Sequence, residues 1–184
     1  MHEEVEIKVH LKNPTEVESF LNKNAKLLKK KEQVDVYFSP AKGDFFAQHP
    51  VTQYIRIRSE GKKKTLEYLF LHFDKDEQLL KTDEYETVID GAETMSIILD
   101  KLGFKKRVTV TKKRTSFIYK GFEISLDHIK ELGHFIEVEA KKVGTSAEQT
   151  RQACFAQLKE LNADWSQTKN MGYPLMILDK KLHH

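Results

Sequence analysis

Pairs of like charge separated by a single residue recur along this 184-residue sequence: Glu4/Glu6, Arg56/Arg58, Glu84/Glu86, Lys112/Arg114 and Glu137/Glu139. At that spacing two side chains share one face of a β-strand and repel each other unless an opposite charge or a ligand stands between them. Paired carboxylates offer hard oxygen donors to a divalent cation, whereas Arg forks and Lys ammoniums suit the oxygens of a polyphosphate. A metal-complexed triphosphate satisfies both. Taken singly, each row also fits a solvated strand face, the commonest pattern of a half-buried antiparallel sheet. The recurrence of like-charged pairs in place of Thr, Ser, Gln and Asn favours a ligand between facing rows.

The flanking residues say which elements carry these pairs. Glu4 to Leu11 alternates polar and apolar residues, the period of a strand, with Val5, Ile7 and Val9 opposite Glu4, Glu6 and Lys8. Asn13-Pro14 opens a helix whose expected apolar stripe is Val17, Phe20, Leu21, Leu27 and Leu28, and Lys29-Lys30-Lys31 would complement its carboxyl end. Strands are predicted over Gln33–Phe38, over Tyr54–Arg58 with Lys64–Phe70 as its hairpin partner, and over Lys81–Ile89. A helix after Gly91 should end at Gly103. Four strand segments follow between Arg107 and Ala140, then a helix capped by Thr145 or Ser146 and a short one over Pro174–Leu178. Without βαβ alternation the sheet should be antiparallel, and two halves of similar style suggest a closed or nearly closed barrel. With helices over the aliphatic faces, the charged rows would line its interior.

Composition narrows the classes further. The chain is 39% hydrophobic and 32% charged, with eight Gly and four Pro, so it should fold, and one domain over residues 1–184 is expected. No apolar run approaches a membrane span and no secretory pattern is evident at the start, so a cytoplasmic protein without a membrane partner is expected. Cys154 is alone and is expected to be a packing residue. The net charge of +3 gives little footprint for nucleic acid, and the acidic pairs would repel a phosphate backbone, which ranks single-stranded RNA binding last. Monomer and homodimer both stay open.

Glu4-x-Glu6-x-Lys8, Asp35-Val36-Tyr37-Phe38, Gly43-Asp44-Phe45, Tyr54-Ile55-Arg56-Ile57-Arg58, Asp83-Glu84-Tyr85-Glu86-Thr87, Leu102-Gly103-Phe104, Lys112-Lys113-Arg114, Leu126-Asp127 and Leu132-Gly133-x-Phe135-Ile136-Glu137-Val138-Glu139 occur in an order that resembles the CYTH family, the triphosphate tunnel metalloenzymes. Tyr37-Phe38-x-Pro40-x-x-Gly43-Asp44-Phe45 looks most like its class IV adenylyl cyclase branch. The resemblance implies an α+β fold: an eight-stranded antiparallel β-barrel, the triphosphate tunnel, with helices packed outside. It implies Mg²⁺ or Mn²⁺ on Glu4, Glu6, Glu137 and Glu139. It implies substrate contacts from Lys8, Arg56, Arg58, Lys81, Glu84, Glu86, Lys112 and Arg114, and catalytic roles for Glu4, Glu6, Lys8, Lys81 and Asp127. The implied substrate is ATP or another small triphosphate. In a cyclase the ribose 3′-hydroxyl attacks the α-phosphorus and pyrophosphate leaves; a triphosphatase acting on thiamine triphosphate, tripolyphosphate or a nucleoside triphosphate hydrolyses the terminal phosphate at the same site. A non-catalytic polyphosphate or nucleotide binder is the third alternative. The sequence departs from the cyclase pattern Leu-Thr-Tyr-Lys at Leu66-Glu67-Tyr68-Leu69, where leucine replaces an expected phosphate-binding lysine.

Overall fold

The computed structural model describes residues 3–77, 79–141, 146–168 and 172–182. Among them the strands are β1 (Glu3–Glu4), β2 (Glu6–Leu11), β3 (Lys26–Pro40), β4 (Gln53–Glu60), β5 (Lys63–Phe73), β6 (Leu79–Val88), β7 (Phe104–Tyr119), β8 (Phe122–Ile129), β9 (Gly133–Ala140) and β10 (Trp165–Gln167). The helices are α1 (Pro14–Asn24), α2 (Ala92–Lys101), α3 (Ala147–Glu160) and α4 (Tyr173–Leu182). The strands form one sheet in the order β1-β6-β5-β4-β3-β7-β8-β9-β2-β10, and the registers of β2–β9, β3–β4, β4–β5, β5–β6, β7–β8, β8–β9 and β2–β10 are antiparallel.

This order corrects the expectation of an eight-stranded closed barrel. The sheet has ten strands and two ends, β1 and β10. Strand β2 has β9 on one edge and β10 on the other, with Trp165, Ser166 and Gln167 opposite Leu11, His10 and Val9. Both of its hydrogen-bonding edges are taken, so it has none left with which to close a ring. The α+β class and the antiparallel pairing stand.

The chain divides into two compact units, one centred on Glu32–Thr111 and including α4, the other formed by Glu4–Lys31 and Lys112–Lys169. In the second unit, Ile7 and Val9 of β2, Phe117 of β7, Ile124 of β8 and Ile136 and Val138 of β9 form an aliphatic face, covered by Val17 and Leu21 of α1 and Cys154, Leu158 and Leu161 from α3 and its end. In the first unit Val36, Phe38, Ile55, Ile57 and Leu66 pack with Met95 and Leu99 of α2. Strand periodicity therefore sends the alternate residues, the charged ones, to the opposite face in each unit.

Local chemistry sets the helix ends. Helix α1 stops at Asn24, whose side-chain amide donates to the carbonyl of Phe20 at 2.8 Å, and Ala25 turns to an extended conformation. Asn22 and Asn24 are weak helix formers at the point of termination. Leu27 and Leu28, expected on the apolar stripe of this helix, instead lie in β3 and are exposed, and Lys29-Lys30-Lys31 belongs to that strand. Asn13 precedes α1 but makes no side-chain cap; its amide donates to the carbonyl of Asn162 and its oxygen accepts from the Asp164 N–H at 2.8 Å, tying α1 to the end of α3. Ser146 caps α3 by accepting from the Gln149 N–H at 3.2 Å, while Thr145 lies outside the described residues. Gly103 follows α2 with φ +87°, where a side chain would be strained, and its N–H closes on the carbonyl of Asp100. The last helix is longer than its predicted Pro174–Leu178 core.

Because Leu158 is wholly buried between α3 and the aliphatic face, Leu158→Ala should lower unfolding free energy by about 2–5 kcal/mol, measured from the urea midpoint at constant slope.

Candidate functional site

In the second unit the charged face is built by adjacent strands in register. Glu6 of β2 stands opposite Glu139 of β9, which stands opposite Glu123 of β8. One row along, Lys8 faces Glu137, and Glu137 faces Ser125. Across β7 and β8, Arg114 faces Asp127. These alignments become ion pairs: Lys8 Nζ lies 3.0 Å from Glu137, and Arg114 donates through Nε and Nη2 to the two oxygens of Asp127 at 2.6 and 2.5 Å. Arg114 also pairs closely with Glu137, and Lys112 lies 3.9 Å from Asp127. Lys141 bridges Glu123 and Glu139 at 2.8 Å each. Glu137 and Asp127 are buried, so these cations compensate charges that have lost their water.

Burial alone would push the Glu137 carboxyl up, but Arg114, Lys8 and Lys112 outweigh it and hold it well below the usual carboxylate range. Burial would lower the Lys8 ammonium, yet Glu137 and Glu6 raise it and keep it charged. Cys154, on the helix side, is pushed up to about 11 by burial and stays a thiol, as a packing residue should.

The first unit repeats the device with different partners. Arg58 faces Asp35 across β3–β4 and donates to both of its oxygens at 2.8 and 3.0 Å. Arg56 stands between Tyr37 and Glu67 in register. Its Nε and Nη2 both reach Glu67 Oε2 at 2.5 Å, Nη2 lies 3.3 Å from Glu84, and Nη1 donates to the Tyr37 hydroxyl at 3.3 Å. The Thr65 hydroxyl donates to the other oxygen of Glu67 at 2.7 Å. Glu67 is 0% exposed; burial pushes its carboxyl up, and Arg56, Arg58 and the Thr65 bond reverse that shift and lower it. Glu67, Glu84 and Glu86 place carboxylate oxygens within 4.8 Å of one another, a cluster of hard donors able to coordinate a divalent cation.

The structure groups Glu6, Lys8, Lys112, Arg114, Asp127, Glu137 and Glu139 on the charged face of the second unit, and Arg56, Arg58, Glu84 and Glu86 on that of the first. The side chain of Glu4 lies outside the described residues. Lys81 alternates with Glu84 and Glu86 onto the other face of β6, where it lies 3.6 Å from Asp83, itself bonded to His72 at 2.7 Å. Leu69 lies on the Arg56 side of β5, in register with Tyr54 and Glu84, and brings no charge there. Asp35 and Glu67 stand in stretches noted from the sequence, but neither they nor Glu123 had a site role there. Their signal was the alternation itself: Asp35 and Tyr37 alternate with Val34 and Val36, and Glu67 follows Thr65 at the spacing that marks a shared face.

The CYTH domain family matches residues 2–164. A Methanocaldococcus jannaschii protein named "Putative adenylate cyclase MJ0240" is 36% identical over 138 residues, covering 74% of this chain and 75% of its own. The structure of the PH1012 protein from Pyrococcus horikoshii OT3 superposes with a TM-score of 0.75 at 20% identity, covering 93% of this chain and 97% of its own. A Hippeastrum structure described as a "putative adenylyl cyclase" with a dominant triphosphatase activity gives 0.69 at 20% identity, with 96% of each chain covered. These two structural likenesses speak for the fold. No helix among the described residues is long and apolar enough to cross a membrane.

The depressed carboxyls set an acid limit on stability. Glu137 ionises in the folded protein well below its ordinary 4.5, so the stability it contributes is present above that value and is lost as pH falls toward the folded value. Melting temperature should therefore drop on acidification below about pH 4.5, and Glu137→Gln, compared by calorimetry across that range, should flatten the drop while lowering the neutral-pH plateau.

Proposed function

Since the chain belongs to the CYTH family, we propose that it is a metal-dependent enzyme acting on a small triphosphate, with Mg²⁺ or Mn²⁺ as its metal. The observation that carries this is the second unit's charged face, where Glu6, Glu139 and Glu123 stand in register beside a cationic group of Lys8, Lys112 and Arg114. Lys141 already offsets the repulsion between Glu139 and Glu123, and a divalent cation with oxygen preference would offset that between Glu6 and Glu139. Donor type fits the metal that the family implies, and among the described residues Glu67, Glu84 and Glu86 bring carboxylate oxygens within 4.8 Å of one another. When bound, the metal would neutralise phosphate charge and polarise the phosphorus centre under attack.

The chain's own residues supply the rest. Glu6, Glu137 and Glu139, with Glu4, are the proposed metal-side carboxylates. Lys8 and Lys112 offer ammonium charges to phosphate oxygens, and Lys8 keeps its proton because Glu137 and Glu6 offset the cost of its burial. Asp127 grips two nitrogens of Arg114 and so fixes the plane in which that guanidinium meets a phosphate. In the first unit Arg56 and Arg58 are the proposed phosphate-binding guanidiniums.

ATP is the first substrate to consider, with cyclic AMP and pyrophosphate as products, supported by the name of the Methanocaldococcus jannaschii relative. Leu69 favours a second reaction: a missing cation near the leaving group weakens expulsion of pyrophosphate, and hydrolysis of the terminal phosphate is the alternative at the same site.

Incubation with ATP, thiamine triphosphate and tripolyphosphate in turn, with Mg²⁺ or Mn²⁺ and product identification by mass, separates these reactions. Cyclic AMP with pyrophosphate is expected for a cyclase and inorganic phosphate for a triphosphatase; three intact substrates would contradict an enzyme. Glu6→Gln and Glu139→Gln should each lower turnover about 10²–10³-fold, as for loss of a preorganised electrostatic group, with melting temperature unreduced.

A further inference from the structure

Arg56 and Arg58 present guanidinium forks to the charged face of the first unit, but both forks are already filled from within the chain. Glu67 takes two nitrogens of Arg56 at 2.5 Å through a single oxygen and lies 3.7 Å from Arg58. Asp35 takes Arg58 at 2.8 and 3.0 Å. A phosphate group makes the same paired N–H···O contacts that these carboxylates make. Tripolyphosphate approaching Arg56 without a cation must draw that guanidinium away from a wholly buried carboxylate, which would be left desolvated and uncompensated. Glu84 and Glu86 add negative charge, since their oxygens lie within 4.8 Å of Glu67's; Lys63 offsets part of it by pairing with Glu86 at 2.8 Å, and Glu84 itself leans on Arg56 at 3.3 Å. Leu69, on the same side of β5, provides no charge to offset it.

We propose that Glu67 acts as an internal counter-anion which closes Arg56 to free polyphosphate and admits a triphosphate only together with a divalent cation. The inference rests on the chain being a triphosphate binder, as put forward above. Its logic is an exchange of partners. Arg56 passes from Glu67 to a phosphate oxygen, and the released carboxylate passes from Arg56 to the incoming cation, for which Glu84 and Glu86 complete a set of hard donors. Each partner gives up one opposite charge and gains another. Thr65 holds the second oxygen of Glu67 through its hydroxyl, so the carboxylate keeps its position while its partner changes. Glu67 is thus a specificity-determining residue that selects the ionic form of the ligand.

Calorimetric titration of tripolyphosphate into wild type, Glu67→Gln and Glu67→Thr, in EDTA and in Mg²⁺, tests this. Wild type should bind at least about tenfold tighter with Mg²⁺ than without, and both variants should cut that ratio about tenfold by gaining affinity in EDTA, the size expected for one charge-assisted contact. Melting curves without ligand establish that each variant is folded, and Glu67→Thr retains a strand-forming residue if the amide disturbs packing. The wild-type arm decides independently of either variant: equal affinity in EDTA and Mg²⁺ overturns the proposal. A wild-type ratio above tenfold that neither folded variant alters overturns the role of Glu67 and leaves triphosphate binding standing. Failure of wild type to bind tripolyphosphate even with Mg²⁺ overturns both.

Discussion

A carboxylate cut off from water in a β-sheet must find a cation on an adjacent strand, and that requirement organises both charged faces. Glu67 and Asp127 are essentially removed from solvent, and each is gripped by arginine: Glu67 by Arg56, Asp127 by Arg114. Leaving either carboxylate without its guanidinium would cost several kcal/mol, more than most single contacts contribute. The pairing is possible because strand register sets the partners opposite one another, as at Arg58 with Asp35 and Lys8 with Glu137. The registers themselves are anchored from behind, by aliphatic residues that a one-residue slip would turn away from their helices. Hydrophobic burial on one face and ion pairing on the other thus enforce the same alignment.

The same arrangement shapes what the faces can bind. In the first unit the arginines are matched by carboxylates of the chain, so an anionic ligand would have to displace one of them. In the second, acidic residues face acidic residues across β2, β9 and β8, with Lys141 bridging Glu123 and Glu139. The proposed ligand, a divalent cation with several phosphates, matches the mixture of acidic and basic side chains found on each face. Net charge, only +3, conceals this segregation because cations and anions were placed near each other in almost equal number.

Much of this was readable from residue order. Pairs such as Glu137/Glu139 flanked by Ile136 and Val138 announce a strand with one charged and one aliphatic side, because side-chain direction repeats every second residue. Gly103 and Ser146 announced helix ends through their backbone and hydroxyl chemistry. Glu67 was harder to see: it stands between Leu66 and Tyr68 without a like-charged neighbour two residues away, and only the registers of β4 and β6 bring it to Arg56 and Glu84. Lys81 carried the right charge, but its parity on β6 sends it toward Asp83. Closure of the sheet was not readable either, because it depends on which distant segment claims the second edge of β2. The short β10 claims it, through Trp165 to Gln167, and nothing in the alternation of β2 encodes that choice.

The central claim is that the carboxylates of these faces hold a divalent cation while their basic neighbours hold phosphate. Diffraction from crystals grown with Mn²⁺ and tripolyphosphate, recorded for anomalous scattering at the manganese edge, tests it most directly. Manganese is expected against Glu6 and Glu139, with phosphate oxygens on Lys8 and Arg114. Manganese confined to solvent-exposed acidic residues elsewhere, with neither charged face occupied, would contradict it.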